Sequence, residues 1–382
     1  MINLLQPSVG DDELAAVADV FASGWIGHGP RTAAFEAAFA SHIGGVADNM
    51  LAVNCGTAGL FLAMELLDIG DGDEVVMPSI AFLAAANAVA SRGARPVFCD
   101  VDPHTLNPRP GDIEAALSSR TRAVIVLHYG GHPGDVVAIA SRCRESGIVL
   151  VEDAACSPAS RVDGRACGTF GDMAVWSFDA MKVMTTGDGG MLYVRDPTLA
   201  QRARRLACHG LVHASDLARS KSSRRWWDFD VWEFGDRRIG NDLTSAIGMV
   251  QLRRLPELLA RRRQVVESYD RELGGVAGIR LPPVLPSGHD SSYFFYWVQL
   301  AAQIRDAVAN DLYRAGVYTS FKYAPLHRVP AYRWRGPLPG VERAEAQTLC
   351  LPLHPGMDET AIKTVVSELR QAIDSRSGQG GW

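Results

Sequence analysis

From about residue 50 to residue 195, short apolar runs alternate with segments whose apolar positions recur at helical spacing. The runs are Leu51-Ala52-Val53, Glu74-Val75-Val76-Met77, Pro96-Val97-Phe98-Cys99, Ala123-Val124-Ile125-Val126-Leu127, Ile148-Val149-Leu150-Val151, Met173-Ala174-Val175-Trp176 and Met191-Leu192-Tyr193-Val194. Runs of this length suit strands buried on both faces, and the helical segments between them predict a mostly parallel sheet in an α/β unit. Sites in such sheets lie beyond the carboxyl ends of the strands. Asn54-Cys55-Gly56-Thr57, Asp153 and Ser177 all stand at such ends.

The pattern changes after residue 241. Residues 242–273 carry one long helical pattern, followed by Pro282-Pro283, a predicted strand Tyr293–Val298, a helix near 304–315 and a last helix near 359–374. This reading divides the chain into a large α/β domain, residues 1–241 with the segment 1–14 included, and a smaller α+β domain, residues 242–382. The Gly/Ser-rich tail 375–382 is expected to fray.

Composition narrows the class. Of 382 residues, 47% are hydrophobic and 21% charged, ordinary for a globular enzyme, and the net charge of −5 gives no basic footprint for nucleic acid. The first residues lack the basic segment and apolar core of a signal peptide, and no apolar stretch reaches about 18 residues, so a cytoplasmic protein without membrane contact is expected. Seven scattered cysteines without a C-x-x-C pair read as reduced thiols rather than a disulfide framework or metal site.

Asp153 and Lys182 carry the chemistry. Lys182 follows Ser177 by five residues and leads into Thr186-Gly187-Asp188-Gly189-Gly190. Pyridoxal 5'-phosphate (PLP, with its amine form PMP) needs a lysine for the Schiff base and a carboxylate that keeps the pyridine nitrogen protonated. Gly56-Thr57-Ala58 opens an amphipathic helix, whose free N–H groups and dipole suit a phosphate, with Thr57 a candidate N-cap and Ser177 a second phosphate ligand.

Motifs along nearly the whole chain resemble the nucleotide-sugar aminotransferases of the DegT/StrS group, PLP enzymes of fold type I with the aspartate aminotransferase architecture. They include Ser23 to Pro30, Gly56-Thr57-Ala58, Pro78 to Phe82, Gly93 to Asp102, His128-Tyr129-Gly130 and Glu152-Asp153-Ala154-Ala155. Further on come Gly168 to Asp172, Ser177 to Lys182, Gly187 to Gly190, Pro325-Leu326-His327 and Leu351-Pro352-Leu353.

The resemblance implies that Lys182 bonds the cofactor and shuttles protons, that Asp153 pairs with the ring nitrogen and that Phe82 stacks on the ring. Gly56, Thr57, Ala58 and Ser177 would hold the phosphate. Asn241 would reach the phosphate of a neighbouring subunit, in a homodimer with shared sites, although its motif is degraded here: Asn241 follows Gly240 directly. Cys156 stands where relatives place glutamine or histidine near the phenolic oxygen, and a thiol bonds more weakly. Trp25, Ile26, Lys322, Tyr323 and His327 would contact the nucleotide sugar. The aromatic segment Lys221 to Arg238 reads either as packing at a dimer interface or as a lid.

The expected activity is amino transfer from an amino acid, glutamate by family habit, to a keto-deoxysugar nucleotide such as a dTDP-4-keto-6-deoxyhexose. A keto-cyclitol aminotransferase and a non-catalytic PLP-binding regulator are the alternatives. A sugar 3-dehydrase, which carries histidine in place of the lysine, is disfavoured by Lys182.

Overall fold

The computed structural model describes residues 1–211 and 230–376. Its strands are β1 (Met50–Val53), β2 (Glu74–Pro78), β3 (Arg95–Cys99), β4 (Thr121–Leu127), β5 (Val149–Asp153), β6 (Arg161–Val162), β7 (Arg165–Ala166), β8 (Met173–Ser177), β9 (Gly190–Val194), β10 (His289–Asp290), β11 (Tyr296–Gln299) and β12 (Thr348–Leu351). The helices are α1 (Asp11–Ala22), α2 (Pro30–Ile43), α3 (Gly56–Leu66), α4 (Leu83–Ala90), α5 (Pro110–Glu114), α6 (Val136–Glu145), α7 (Pro197–Leu206), α8 (Asp242–Leu273), α9 (Ala302–Arg314), α10 (Pro339–Gln347) and α11 (Glu359–Asp374).

All seven apolar runs are strands of one sheet, in the order β1-β9-β8-β5-β4-β2-β3. Only β9 runs against its neighbours, pairing antiparallel with both β1 and β8. The runs lack polar alternation because helices cover both faces. Val75, Met77, Phe98, Ala123, Ile125 and Val151 enter one core, whereas Val76, Val97, Cys99, Val124, Val126 and Leu150 enter the other. Period-two geometry thus sorts a uniform apolar run into two layers.

Helix starts are chemically marked. Asp196 accepts from the N–H groups of Thr198 and Leu199 with Pro197 at the first helical position, and Asp358 caps α11 through Ala361.

A separate core gathers Val265, Tyr269 and Leu273 of α8 with Tyr296 and Val298 of β11, Val308 and Leu312 of α9, and Val365 and Leu369 of α11. Leu255 of α8 belongs instead to the large core. The two cores therefore meet inside α8, beyond Leu255, and not at its first residue as the change of sequence pattern predicts. Tail fraying does not begin at residue 375 either: Ser375 caps α11, and the Arg376 guanidinium pairs with Asp311. Residues 377–382 lie outside the described residues. Among the described residues, no helix is long and apolar enough to cross a membrane.

Candidate active site

The parallel register sets Leu127, Asp153 and Val175 side by side at the carboxyl ends of β4, β5 and β8. All three line a cavity of about 420 Å³, together with Gly56, Thr57, Phe82, Cys156, Ser177, Lys182, Lys322 and Tyr323. Nine sequence-predicted site residues therefore meet in one space, although they come from segments up to 267 residues apart (Gly56 to Tyr323).

Asp153 is 4% exposed. Burial pushes its carboxyl above the usual carboxylate range, while the Lys182 charge, the Ala155 N–H and His128 pull it back. The preceding Glu152 points to the opposite face, where Oε2 accepts from His128 Nε2 (3.0 Å) and Gly168 N (2.7 Å), and Oε1 from Gly171 N (2.6 Å). Strand alternation gives two adjacent carboxylates two jobs: Asp153 faces the cavity and Glu152 pins a loop.

Lys182 leaves β8 through a turn closed by Lys182 N to Asp179 O (3.0 Å) and Met181 N to Asp179 Oδ1 (3.0 Å). Beyond it, Val183 and Met184 are buried, and Thr186 N and Thr185 Oγ1 both donate to Phe178 O. The backbone on both sides of the lysine is thereby fixed. Its ammonium sits 4.8 Å from the Phe294 ring centre, a cation–π contact.

The segment expected to hold the phosphate opens α3, with a different cap from the one expected. The N-cap of α3 is Cys55, not Thr57, and its Sγ accepts from Ala58 N at 3.4 Å. Ala58 N–H is therefore engaged and Ala58 is absent from the cavity lining, which leaves the first two N–H groups of the helix, those of Gly56 and Thr57, aimed outward. A Cβ on Gly56 would stand 2.8 Å from Ser177 Cβ, and one on Gly190 would stand 2.8 Å from Gly56 N. Both glycines are needed for β8, β9 and α3 to converge.

Besides Ala58, four predicted contacts lie outside this cavity in the single chain. His327 Nδ1 is bonded to Ser79 Oγ (2.8 Å), a role in holding the Pro325-Leu326-His327 turn against β2. Asn241 caps α8, its Oδ1 accepting from Thr244 N at 3.0 Å. Trp25 and Ile26 are 55% and 51% exposed and adjoin that cap, because Asp242 N donates to Gly27 O (2.8 Å) and Arg31 N to Asp242 Oδ2 (3.2 Å). Of the aromatic segment, Trp226, Trp227 and Phe229 lie outside the described residues, whereas Trp232 and Phe234 are exposed.

Sequence reasoning missed Phe294, Phe295, Asp179 and Asp188, which also line the cavity. The two phenylalanines read as ordinary strand residues, and only the turn at residues 130–131 brings them to the site: Phe294 N and Phe295 N both donate to Gly130 O. Among the described residues, no group of three or more His, Cys, Asp or Glu side chains is placed to hold a metal ion.

A mostly parallel sheet whose strand ends set a buried carboxylate and a fixed lysine around one cavity, with a glycine-opened helix beside them, is the arrangement expected of an aminotransferase. The chain belongs to the DegT/DnrJ/EryC1/StrS aminotransferase family, whose model matches residues 7–370.

It is 57% identical over 379 residues to dTDP-4-dehydro-2,3,6-trideoxy-D-glucose 4-aminotransferase of Saccharopolyspora spinosa, covering 99% of this chain and 98% of that one. Among solved structures it is similar to the aminotransferase TlmJ from Streptoalloteichus hindustanus, with a TM-score of 0.94, 59% identity, and 98% and 99% of the two chains covered. It is also similar to the sugar aminotransferase CalS13 from Micromonospora echinospora, with a TM-score of 0.88, 31% identity, and 97% and 100% covered. The protein is accordingly an aminotransferase on the fold-type-I architecture.

Proposed function

We propose that this enzyme uses PLP to move the amino group of an amino acid, with glutamate as donor, onto the C4 ketone of a dTDP-linked deoxyhexose. The observation that carries the reading is the shared cavity of Lys182 and Asp153. The name of the 57% identical relative supports the nucleotide, the sugar class and the carbon.

The residues present fit the cofactor. The buried Asp153 matches a protonated ring nitrogen, the Gly56 and Thr57 N–H groups with Ser177 Oγ match a phosphate, and Phe82 offers an aromatic face. PLP, when bound, supplies an electron sink for the charge that develops as the amino acid loses its Cα proton. Asp153 holds the proton on the ring nitrogen through a charge-assisted hydrogen bond. Lys182, as a free amine, would take the Cα proton and return it to the carbon on the other side of the transferred nitrogen. Water would release the carbon skeleton of glutamate as 2-oxoglutarate, its nitrogen retained as the cofactor's amine form, and the same residues would act in reverse to pass that nitrogen to the keto-sugar with loss of water.

Incubation with dTDP-4-keto-2,3,6-trideoxyhexose and glutamate should yield the amino sugar and 2-oxoglutarate, read by mass spectrometry. Turnover of a keto-cyclitol with none of the dTDP-sugar would overturn the substrate assignment. Gly56→Ala should weaken cofactor binding about tenfold, because its methyl group would displace Ser177 and the helix start. Equilibrium dialysis of the apoprotein against PLP checks this.

The reading includes a homodimer. Asn241, Trp25 and Ile26 form one surface patch outside the chain's own cavity, suited to complete the site of a second copy. Mixing inactive Lys182→Ala chains with inactive Asn241→Ala chains should restore part of the activity after subunit exchange. No recovery in exchanged dimers would argue against shared sites. The reading also places the enzyme in the cytoplasm, in keeping with seven free cysteines.

A further inference from the structure

Asp153 divides the cavity into two flanks. In the sheet, β8 and β1 lie on one side of β5, and β4 and β2 lie on the other. The phosphate cradle, Ser177 and Gly56, follows β8 and β1. Tyr323 belongs to the other flank: its ring packs 5.7 Å from Phe82, which follows β2, and 6.0 Å from Phe295. Its hydroxyl is hydrogen-bonded to the thiol of Cys156.

That side is stiffly built. The Lys322 N–H bonds to Cys350, whose Sγ lies 3.5 Å from Tyr129 Oη, and Ser320 and Cys350 are joined through their backbones. Burial holds Cys156 as a neutral thiol, its pKa pushed up to about 11, and raises the Tyr323 phenol well above its usual value. Both groups therefore stay protonated, and the Tyr323 hydroxyl keeps a proton to donate.

In pyridoxal the carbon that bonds the lysine is para to the ring nitrogen, with the phosphate arm on one neighbouring carbon and the phenolic oxygen on the other. A ring fixed at its nitrogen by Asp153, at the opposite carbon by Lys182 and at its phosphate by Ser177 turns the phenolic oxygen towards the other flank. We infer that the Tyr323 hydroxyl, which donates to Cys156 Sγ, turns its hydrogen bond to that oxygen when the cofactor is bound, and that Cys156 is a positioning residue whose thiol holds the phenol at this flank. This rests on the PLP reading above. Cys156 is too weak a donor to do the work alone, and the phenol beside it supplies what the thiol lacks.

A donor at the phenolic oxygen stabilises its ionised form, so it lowers the pKa at which the lysine-bound cofactor loses its shared proton. Titrating the visible absorption of the resting holoenzyme, without substrate, reads this pKa directly. Tyr323→Phe should raise it by about one unit, equivalent to about 1.4 kcal/mol. Cys156→Ala should raise it by less, and the double variant should match Tyr323→Phe, because the thiol acts through the phenol. An unchanged pKa in Tyr323→Phe, or additive shifts in the double variant, would overturn the inference while leaving the PLP reading intact. Absence of any visible lysine-bound band in the PLP-loaded parent enzyme would instead overturn the PLP reading itself, and the inference with it.

Discussion

Replacing Lys182 by alanine is expected to abolish transamination, with kcat falling at least about a thousandfold, while PLP still binds noncovalently. Two functions are lost together: the covalent anchor that activates the cofactor for exchange with the donor, and the amine that carries the proton between carbons. No neighbour replaces it. Lys322 lines the same cavity, but its backbone is held at Cys350 and not on the turn that presents Lys182. The phosphate cradle and Asp153 are untouched by the substitution, so equilibrium dialysis should show PLP retained and spectra should show no lysine-bound form. Turnover near the parent rate would sink the proposed mechanism.

Asp153→Asn should lower kcat by about 10²- to 10³-fold, the size of effect seen when one preorganised electrostatic partner is removed. Asparagine keeps the shape and a hydrogen-bonding oxygen but not the charge that keeps the ring nitrogen protonated. The same change should not destabilise the apoprotein. Asp153 is almost fully buried and burial opposes its charge, so a neutral isostere removes a desolvation cost. A large loss of activity with an equal or higher apoprotein Tm is the expected pair of results. Loss of both together would show a folding role, and loss of neither would remove Asp153 from the site.

These two residues were legible in the sequence because their contexts are local. Asp153 ends an apolar run, and Lys182 lies within seven residues of the end of another, so strand geometry alone carries both to the same edge of the sheet. The seven strands were legible for a similar reason: buried parallel strands write themselves as unbroken apolar runs. The rest depends on the path of the chain. Phe294 looks like any strand residue until its N–H finds Gly130 O, and Tyr323 meets Cys156 only because α8 and the small domain bring the chain back. The cap of α3 escaped because cysteine is a poor capping residue by preference, yet Cys55 holds the extended backbone that the position requires. The meeting of the two cores inside α8 escaped because a continuous helix shows no break in its own periodicity.

That helix gives the molecule a mechanical axis. At about 1.5 Å per residue, the 32 residues of α8 make a rod of roughly 48 Å, clamped by α1 and α2 at its first half and by the small core at its second. Pro256, which removes one hydrogen bond from the helix, lies on the large-core side of the crossing, because Leu259 still packs against the large core and Val265 enters the small one. Tyr323 packs against the large core, as the Asn241 end of the rod does through α1 and α2, so the Tyr323 wall of the cavity and the patch suited to a second copy rest on the same body.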